Sequence, residues 1–238
     1  MRIIFLNTWQ GRSGAPIKKF IKEESGSTDI FCFQEVSPDF FKLLSSWLPQ
    51  HEPFYEAGKK LAIDGRIYGQ VIFTKPYIEV HEKGKIRLYN QLINDIGFLL
   101  YQHLSFNGSE MWLGNIHGKT NPGSKRDTES RLKQSRKIID FFAGKKTSVI
   151  FGGDFNLLPD TESIKKIEEA GYKNLIKDFG VKTTRNRLSW EQFRKQPNFV
   201  KQHFADYVFT SPEVKVKGFE VPHVEISDHL PLILDVEV

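Results

Sequence analysis

The sequence predicts a layered α/β protein with mixed β-sheets, in a single domain over residues 1–238. Three observations carry this. Helix-period and strand-like apolar runs interleave along the whole chain. Residues 66–117 read as strand after strand, which a simple parallel doubly wound sheet does not contain. No linker, repeat or low-complexity tract divides the 238 residues, a length that can bury about three quarters of its unfolded surface.

Arg2 to Asn7 and Asp29 to Gln34 are short runs rich in Ile and Phe, and predict buried strands. Between them, Pro16 to Glu24 carries apolar residues at 17, 20 and 21, a helical spacing. Pro38 to Leu48 repeats that spacing through Phe40, Phe41, Leu44 and Leu48. Arg66 to Thr74, Ile96 to Ser105 and Glu110 to His117 are strands. Asp127 to Ala143 is a helix with Leu132, Ile138, Ile139 and Phe142 on one face and Gly144 ending it. On the same helix Arg131, Lys133, Arg136 and Lys137 read as a solvated face. Ser148 to Gly152 is a compact buried strand, and Asp160 to Ala170 a short helix stopped by Gly171. Ala205 to Thr210, Val214 to Val221 and Leu230 to Val238 complete the strands.

Hydrophobic content of 39% and charged content of 26% exclude a disordered or collagen-like chain. One cysteine, Cys32, excludes a disulfide framework and a cysteine-rich zinc site. No apolar run is long enough to span a bilayer, and the apolar start is too short for a signal-peptide core. The expectation is a cytoplasmic protein with no membrane association and no obligate protein partner. The net charge of +5 is unevenly placed: His117 to Lys146 carries nine Lys/Arg against three Asp/Glu, and Lys182 to His203 six against one. Basic charge in two segments points to an anionic partner.

Six short segments carry side chains suited to chemistry. Val149-Ile-Phe-Gly-Gly-Asp-Phe-Asn156 ends a buried strand in two glycines and delivers Asp154 and Asn156 at its C-terminal edge, where α/β proteins place active sites. Residues two apart on an extended chain face the same way, so this carboxylate and amide share a pocket. Ile226-Ser-Asp-His-Leu-Pro231 sets Asp228 beside His229, a possible cation ligand beside a proton carrier. Glu35 follows the buried strand Cys32-Phe-Gln, where an unpaired carboxylate is unfavourable and a metal ion or cationic partner explains it. Asn7 ends the first strand. Gly114-Asn-Ile-His-Gly118 delivers His117 to a glycine loop, with Asn115 on the same face. Asp206, in Phe204-Ala-Asp-Tyr-Val208, is placed to orient a histidine by accepting its ring N–H. Each has an ordinary reading as a turn or strand-exit residue.

The order Asn7, Glu35, His117, Asp154-Phe-Asn156, Asp206, Asp228-His229 resembles the endonuclease/exonuclease/phosphatase superfamily across the whole chain. Tyr68-Gly-Gln-Val-Ile-Phe-Thr-Lys-Pro76 also resembles one of its strands. The resemblance implies a DNase I-like four-layer sandwich, two packed mixed sheets flanked by helices. It implies a divalent-metal-dependent phosphoesterase with Mg²⁺ or Mn²⁺ held by Glu35, Asn7 and Asp228. Asp154 would orient and deprotonate the attacking water, and Asn156 would hold that water or a phosphate oxygen. His229, held by Asp206, would donate to a phosphate oxygen, and His117 would sit on the phosphate or leaving-group side. A His at the position of His117 departs from the abasic-site endonucleases of that superfamily.

For the substrate, Thr183 to Lys195 mixes cations with Trp190 and Phe193, suited to phosphates and unpaired bases. Arg185, Arg187 and Trp190 are its candidate contacts, with Lys119 and Asn115 on the other side and Lys119 to Arg126 as a second wall. Nucleic acid, DNA or RNA, is the first expectation. A small phosphorylated molecule such as an inositol phosphate is the alternative. A silent nucleic-acid-binding module is a third reading, which the complete set of catalytic residue types disfavours.

Overall fold

The computed structural model describes residues 1–60, 65–89, 97–191, 194–195 and 199–237. The expected strand start at Ile96, the expected strand end at Val238 and the aromatic Phe193 lie outside them.

The described strands are β1 (Arg2–Asn7), β2 (Ile30–Val36), β3 (Glu52–Lys60), β4 (Ile67–Thr74), β5 (Glu79–Ile86), β6 (Leu99–Phe106), β7 (Ser109–His117), β8 (Ser148–Asp154), β9 (Lys173–Asn174), β10 (Asp206–Thr210), β11 (Lys215–Glu220) and β12 (Leu232–Glu237). The helices are α1 (Ala15–Glu24), α2 (Pro38–Trp47), α3 (Glu129–Phe142), α4 (Glu162–Glu169), α5 (Leu175–Asp178) and α6 (Arg187–Glu191). They form two six-stranded sheets, ordered β11-β12-β1-β2-β4-β3 and β5-β6-β7-β8-β10-β9. Each sheet is mixed: β1–β2 and β7–β8 are parallel, and the other pairings are antiparallel.

The period-2 pattern of β1 and β2 explains the layering. Ile3, Phe5, Ile30 and Cys32 point between the sheets and join one core with Leu113, Phe151 and Tyr207. Ile4, Leu6, Phe31 and Phe33 point outward, where Ile17 and Ile21 of α1 and Phe40 and Leu44 of α2 cover them. On the far side Ile138 and Phe142 of α3 and Ile164 and Ile167 of α4 complete the second outer layer. Ser37 and Thr128 cap α2 and α3, their side chains accepting from Phe40 N and Arg131 N.

Two sequence expectations change. Arg131 is not on a solvated face: it is fully buried, and α3 buries Arg131, Gln134, Ser135, Ile138 and Phe142 instead of a purely apolar stripe. Asn115 is fully buried between the sheets. Its Oδ1 accepts from Gln34 Nε2 at 2.6 Å, and its Nδ2 donates to the carbonyls of Phe33 and Val71 at 3.0 and 3.3 Å. It ties the sheets together and is not a substrate contact.

Candidate active site

The parallel pairs β1–β2 and β7–β8 bring their C-terminal ends to one edge of the sandwich. Asn7 and Glu35 come from the first sheet. His117, Asp154 and Asp206 come from the second, where Asp154 lies in register with both His117 and Asp206. The glycines before Asp154 allow this close approach. A Cβ at Gly153 (φ +124°) would lie 2.3 Å from Ile116 O, and one at Gly152 would lie 2.9 Å from Tyr207 O. Asp228 and His229 arrive on the segment leading to β12, which is anchored by Ser227 Oγ donating to Asn7 O at 2.7 Å.

Local backbone strain converges here. Six described non-glycine residues have positive φ, and three of them, Glu35 (55°), Lys125 (56°) and Asn156 (54°), are at this edge. Strain that the surroundings hold in place is a mark of functional sites. Glu35 does not follow its strand: it sits inside β2, where the register with β4 shifts between Gln34 and Val36, and the bulge re-aims its carboxylate. Asn156 converges with Asp154 by a left-handed turn, not by the extended alternation expected, and its N–H donates to Asp154 Oδ1 at 2.9 Å.

Asn7 Nδ2 links the sheets chemically, donating to Glu35 Oε1 at 3.2 Å and to Asp154 Oδ2 at 3.0 Å. His117 Nε2 is 3.8 Å from each of those carboxylates. His229 Nε2 is also 3.8 Å from Asp154 Oδ2, while its Nδ1 lies 2.8 and 2.9 Å from the Asp206 oxygens. Thr184 Oγ1 donates to Asp206 Oδ2 at 2.8 Å and accepts the backbone N–H groups of Ala205 and Asp206, which fixes the carboxylate. Arg185 donates to Asp228 Oδ2 at 2.9 Å, and Lys125 Nζ to Asn156 Oδ1 at 2.6 Å. Glu35 and Arg185 keep partly exposed side chains, 19% and 11%, and the others are withdrawn from water; Asp154 and Asn156 are each 2% exposed.

The electrostatics divide the carboxylates. Burial alone would push Asp154 up, but His229, Lys125, His117 and Arg185 together hold it down at about 2. Burial pushes Glu35 up, with His117 opposing and Asp228 adding to the rise. Burial also raises Asp206 against the pull of His229. Burial works against the His229 cation and is the largest single influence, yet Asp206, Asp228 and Asp154 together outweigh it and Arg185, and the imidazole is raised.

Asn156 Nδ2, His117 Nε2 and Arg185 Nε are buried and have no hydrogen-bond partner among the described residues. Buried donors without partners are unfavourable unless an acceptor joins them. An anionic oxygen between Asp154, His117 and Asn156 would satisfy them. The oxygen donors Glu35, Asp228 and Asn7 suit a hard cation such as Mg²⁺ or Mn²⁺. Glu35 fits best, because it is a partly exposed carboxylate with no cationic side chain in hydrogen-bond contact. Asp154, Asp206 and His229 also group within 4.8 Å, but Asp206 already accepts from His229 and Thr184, a proton-handling arrangement rather than a cage.

The expected substrate wall is only partly here. Arg185 reaches the centre. Lys119 lies at the edge, its ammonium 5.0 Å from the Tyr89 ring centroid. Arg187 is paired with Glu191 and Glu225, and Trp190 packs on His203 under Lys201 with its ring N–H donating to Gln202 O. Neither of these two contacts Asp154, His117 or His229 in a hydrogen bond or ion pair among the described residues. Lys125, Thr184 and Arg131 were not singled out by motif; only the basic character of residues 119–126 marked that loop.

The Endonuclease/Exonuclease/phosphatase family model matches residues 4–229, the span from β1 to His229. The chain belongs to this family. Its members are phosphoesterase hydrolases, generally dependent on a divalent metal ion. No curated protein matches it in sequence. Among solved structures, an endonuclease/exonuclease/phosphatase from Bacteroides vulgatus superposes with a TM-score of 0.78 at 18% identity, covering 100% of this chain and 98% of that one. A mannosyl-6-phosphatase from Bacteroides thetaiotaomicron gives 0.73 at 18%, with both chains covered completely. D. rerio TDP2 complexed with a single-strand DNA product gives 0.75 at 18%, covering 100% and 99%. At these identities the superpositions establish the DNase I-like fold. No described helix is long and apolar enough to cross a membrane.

Proposed function

We propose that this family member hydrolyses phosphate esters by metal-assisted attack of water, with Asp154, Asn156, His117 and the Asp206–His229 pair as its working groups. The observation that carries the reading is the convergence of an ionised, cation-surrounded Asp154 with unpartnered donors from Asn156 and His117. Glu35, Asn7 and Asp228 would hold a Mg²⁺ or Mn²⁺ ion, which when bound polarises a phosphoryl oxygen and stabilises the leaving oxygen.

Asp154, whose ionised form is favoured by His229, Lys125, His117 and Arg185, is an acceptor. A base this weak orients the attacking water more than it abstracts its proton before attack, and takes the proton as the new bond forms. Asn156 Nδ2 donates to a phosphoryl oxygen or to that water. The His229 cation is favoured by Asp206, Asp228 and Asp154, and it donates from Nε2 to the oxygen on which charge builds. His117 Nε2 faces the same centre and serves the phosphate or leaving-group side.

Between substrates, the geometry favours a small phosphorylated molecule or a chain terminus that enters the recessed site. Arg187 and Trp190, expected to hold a polymer, are engaged internally. Of the basic helix residues, Arg131 is buried and Lys133 pairs with Glu129. A single-strand nuclease is the second reading, supported by Lys119 and Arg185 near the centre and by the TDP2 likeness. The test is hydrolysis with and without EDTA of phosphorylated sugars, inositol phosphates and end-labelled single-stranded DNA and RNA, with Asp154→Asn as control. Metal-dependent phosphate release that leaves polymers intact supports the first reading. A metal-dependent ladder supports the second, and no hydrolysis of any ester overturns both.

A further inference from the structure

Lys125 is the one basic residue of the 119–126 loop whose ammonium turns inward: it is 5% exposed and its Nζ lies 2.6 Å from Asn156 Oδ1. Burying a lysine is unfavourable, and burial beside Arg185 lowers this one to about 8. A methionine would fill the same space without that penalty, so packing alone does not explain the residue.

The loop is held to deliver it. Arg131, fully buried in the first turn of α3, donates to the carbonyls of Lys119 (3.1 Å), Thr120 (3.2 Å), Pro122 (2.6 Å) and Arg126 (2.7 Å). Lys125 itself is locked at φ +56°, and its carbonyl accepts from Leu158 N at 3.0 Å. One buried guanidinium therefore shapes the loop, and the loop presents one buried ammonium.

The consequence falls on Asn156. An amide has one acceptor oxygen and one donor nitrogen, and the two ends can exchange places by rotation. With Oδ1 facing a cation that can only donate, the swapped rotamer would set Nδ2 against Nζ, donor against donor. Nδ2 is thereby fixed on the opposite side, where it is buried and has no hydrogen-bond partner among the described residues.

We propose that Lys125 is a positioning residue: its ammonium locks the Asn156 amide with Nδ2 turned toward the phosphoryl oxygen, and Arg131 holds the loop that makes this possible. This rests on the phosphoesterase reading for its chemistry, but the locking of the amide is a property of the chain by itself.

The experiment is a double-mutant cycle with Lys125→Met and Asn156→Ala, assayed on the phosphate ester the native chain hydrolyses best. Asn156→Ala is expected to lower kcat by about 10²-fold, the scale for removing one preorganised donor. Lys125→Met is expected to lower kcat about 10- to 100-fold with a smaller change in KM. The double variant should be no slower than Asn156→Ala alone, because Lys125 acts through that amide. Additive losses would overturn the proposal, since Lys125 would then act independently. A second readout needs no activity: the Asn156 side-chain amide resonances in ¹⁵N NMR should be sharp and distinct in the native chain, and broadened or shifted in Lys125→Met. Unchanged resonances would also overturn it. Lys125→Leu, which also lacks a donor, replaces Lys125→Met if the latter fails to fold. A native chain silent on every phosphate ester would overturn the phosphoesterase reading alone, and the amide resonances would then decide the positioning claim.

Discussion

Replacing Asp206 by Asn removes one charge and leaves the shape of the site intact. Asp206 accepts from His229 Nδ1 at 2.8 Å and from Thr184 at 2.8 Å, and an asparagine keeps the shape with a single acceptor oxygen, enough for His229 but not for every hydrogen bond of the carboxylate. What is lost is the negative charge that sustains a cation on a fully buried imidazole. With about 4 Å between the centres of charge and an effective dielectric constant of about 20, that attraction is about 4 kcal/mol. At about 1.4 kcal/mol per tenfold, kcat should fall about 10³-fold. KM should change much less, because the interaction grows only as charge develops on the substrate. The assay is steady-state kinetics on the best phosphate ester, with urea unfolding of the same samples to show that the fold is retained. A loss of less than tenfold in Asp206→Asn, beside a loss above a hundredfold in His229→Ala, would refute the reasoning: the histidine would be working without its carboxylate.

The buried ammonium of Lys125 makes stability depend on pH in a defined sense. Its folded pKa of about 8 lies below the ordinary value of 10.5, so between these pH values the unfolded chain holds the extra proton and native stability rises with pH. The gap corresponds to about 3 kcal/mol. The stability of Lys125→Met relative to the native chain should therefore fall by about that amount from pH 8 to pH 10.5, measured by urea unfolding; a flat difference would show that the ammonium is not buried. Asn115→Leu should lower stability by about 2–3 kcal/mol, because the Gln34 amide and two carbonyls lose a buried partner; a change below about 0.5 kcal/mol would show that the inter-sheet tie is dispensable. Glu35→Gln should weaken Mn²⁺ binding at least about tenfold by titration calorimetry, and unchanged affinity would remove Glu35 from the metal site.

The central strands were legible because their side chains obey simple rules. β1, β2, β8 and β10 are apolar runs that carry Asn7, Glu35, Asp154 and Asp206 at or within one residue of a strand end, and strand ends are where a rigid sheet can present a polar group. The strands without a clear signal are β3, β5 and the two-residue β9, each at an edge of its sheet. Edge strands carry charge to discourage further pairing, and Glu79-Val-His-Glu-Lys-Gly-Lys-Ile86 reads as polar loop for that reason. Arg131 and Asn115 were misplaced by one shared assumption, that polar side chains face water or ligand. Arg131 satisfies loop carbonyls, and Asn115 joins the two sheets. Lys125 was hidden because its placement depends on loop carbonyls gathered by a residue six positions away. Arg187 and Trp190 fit the composition of a nucleic-acid wall, but composition does not reveal that Glu191, Glu225 and His203 already engage them.

The most direct test of the account is metal-dependent turnover by the purified chain. Sugar phosphates, inositol phosphates, single-stranded DNA, duplex DNA and RNA are each incubated with Mg²⁺, with Mn²⁺ and with EDTA, beside Asp154→Asn. Hydrolysis of at least one ester is expected to require the metal ion and to fall at least about 10²-fold in the variant. Hydrolysis that persists undiminished in Asp154→Asn, or in EDTA, would contradict that expectation.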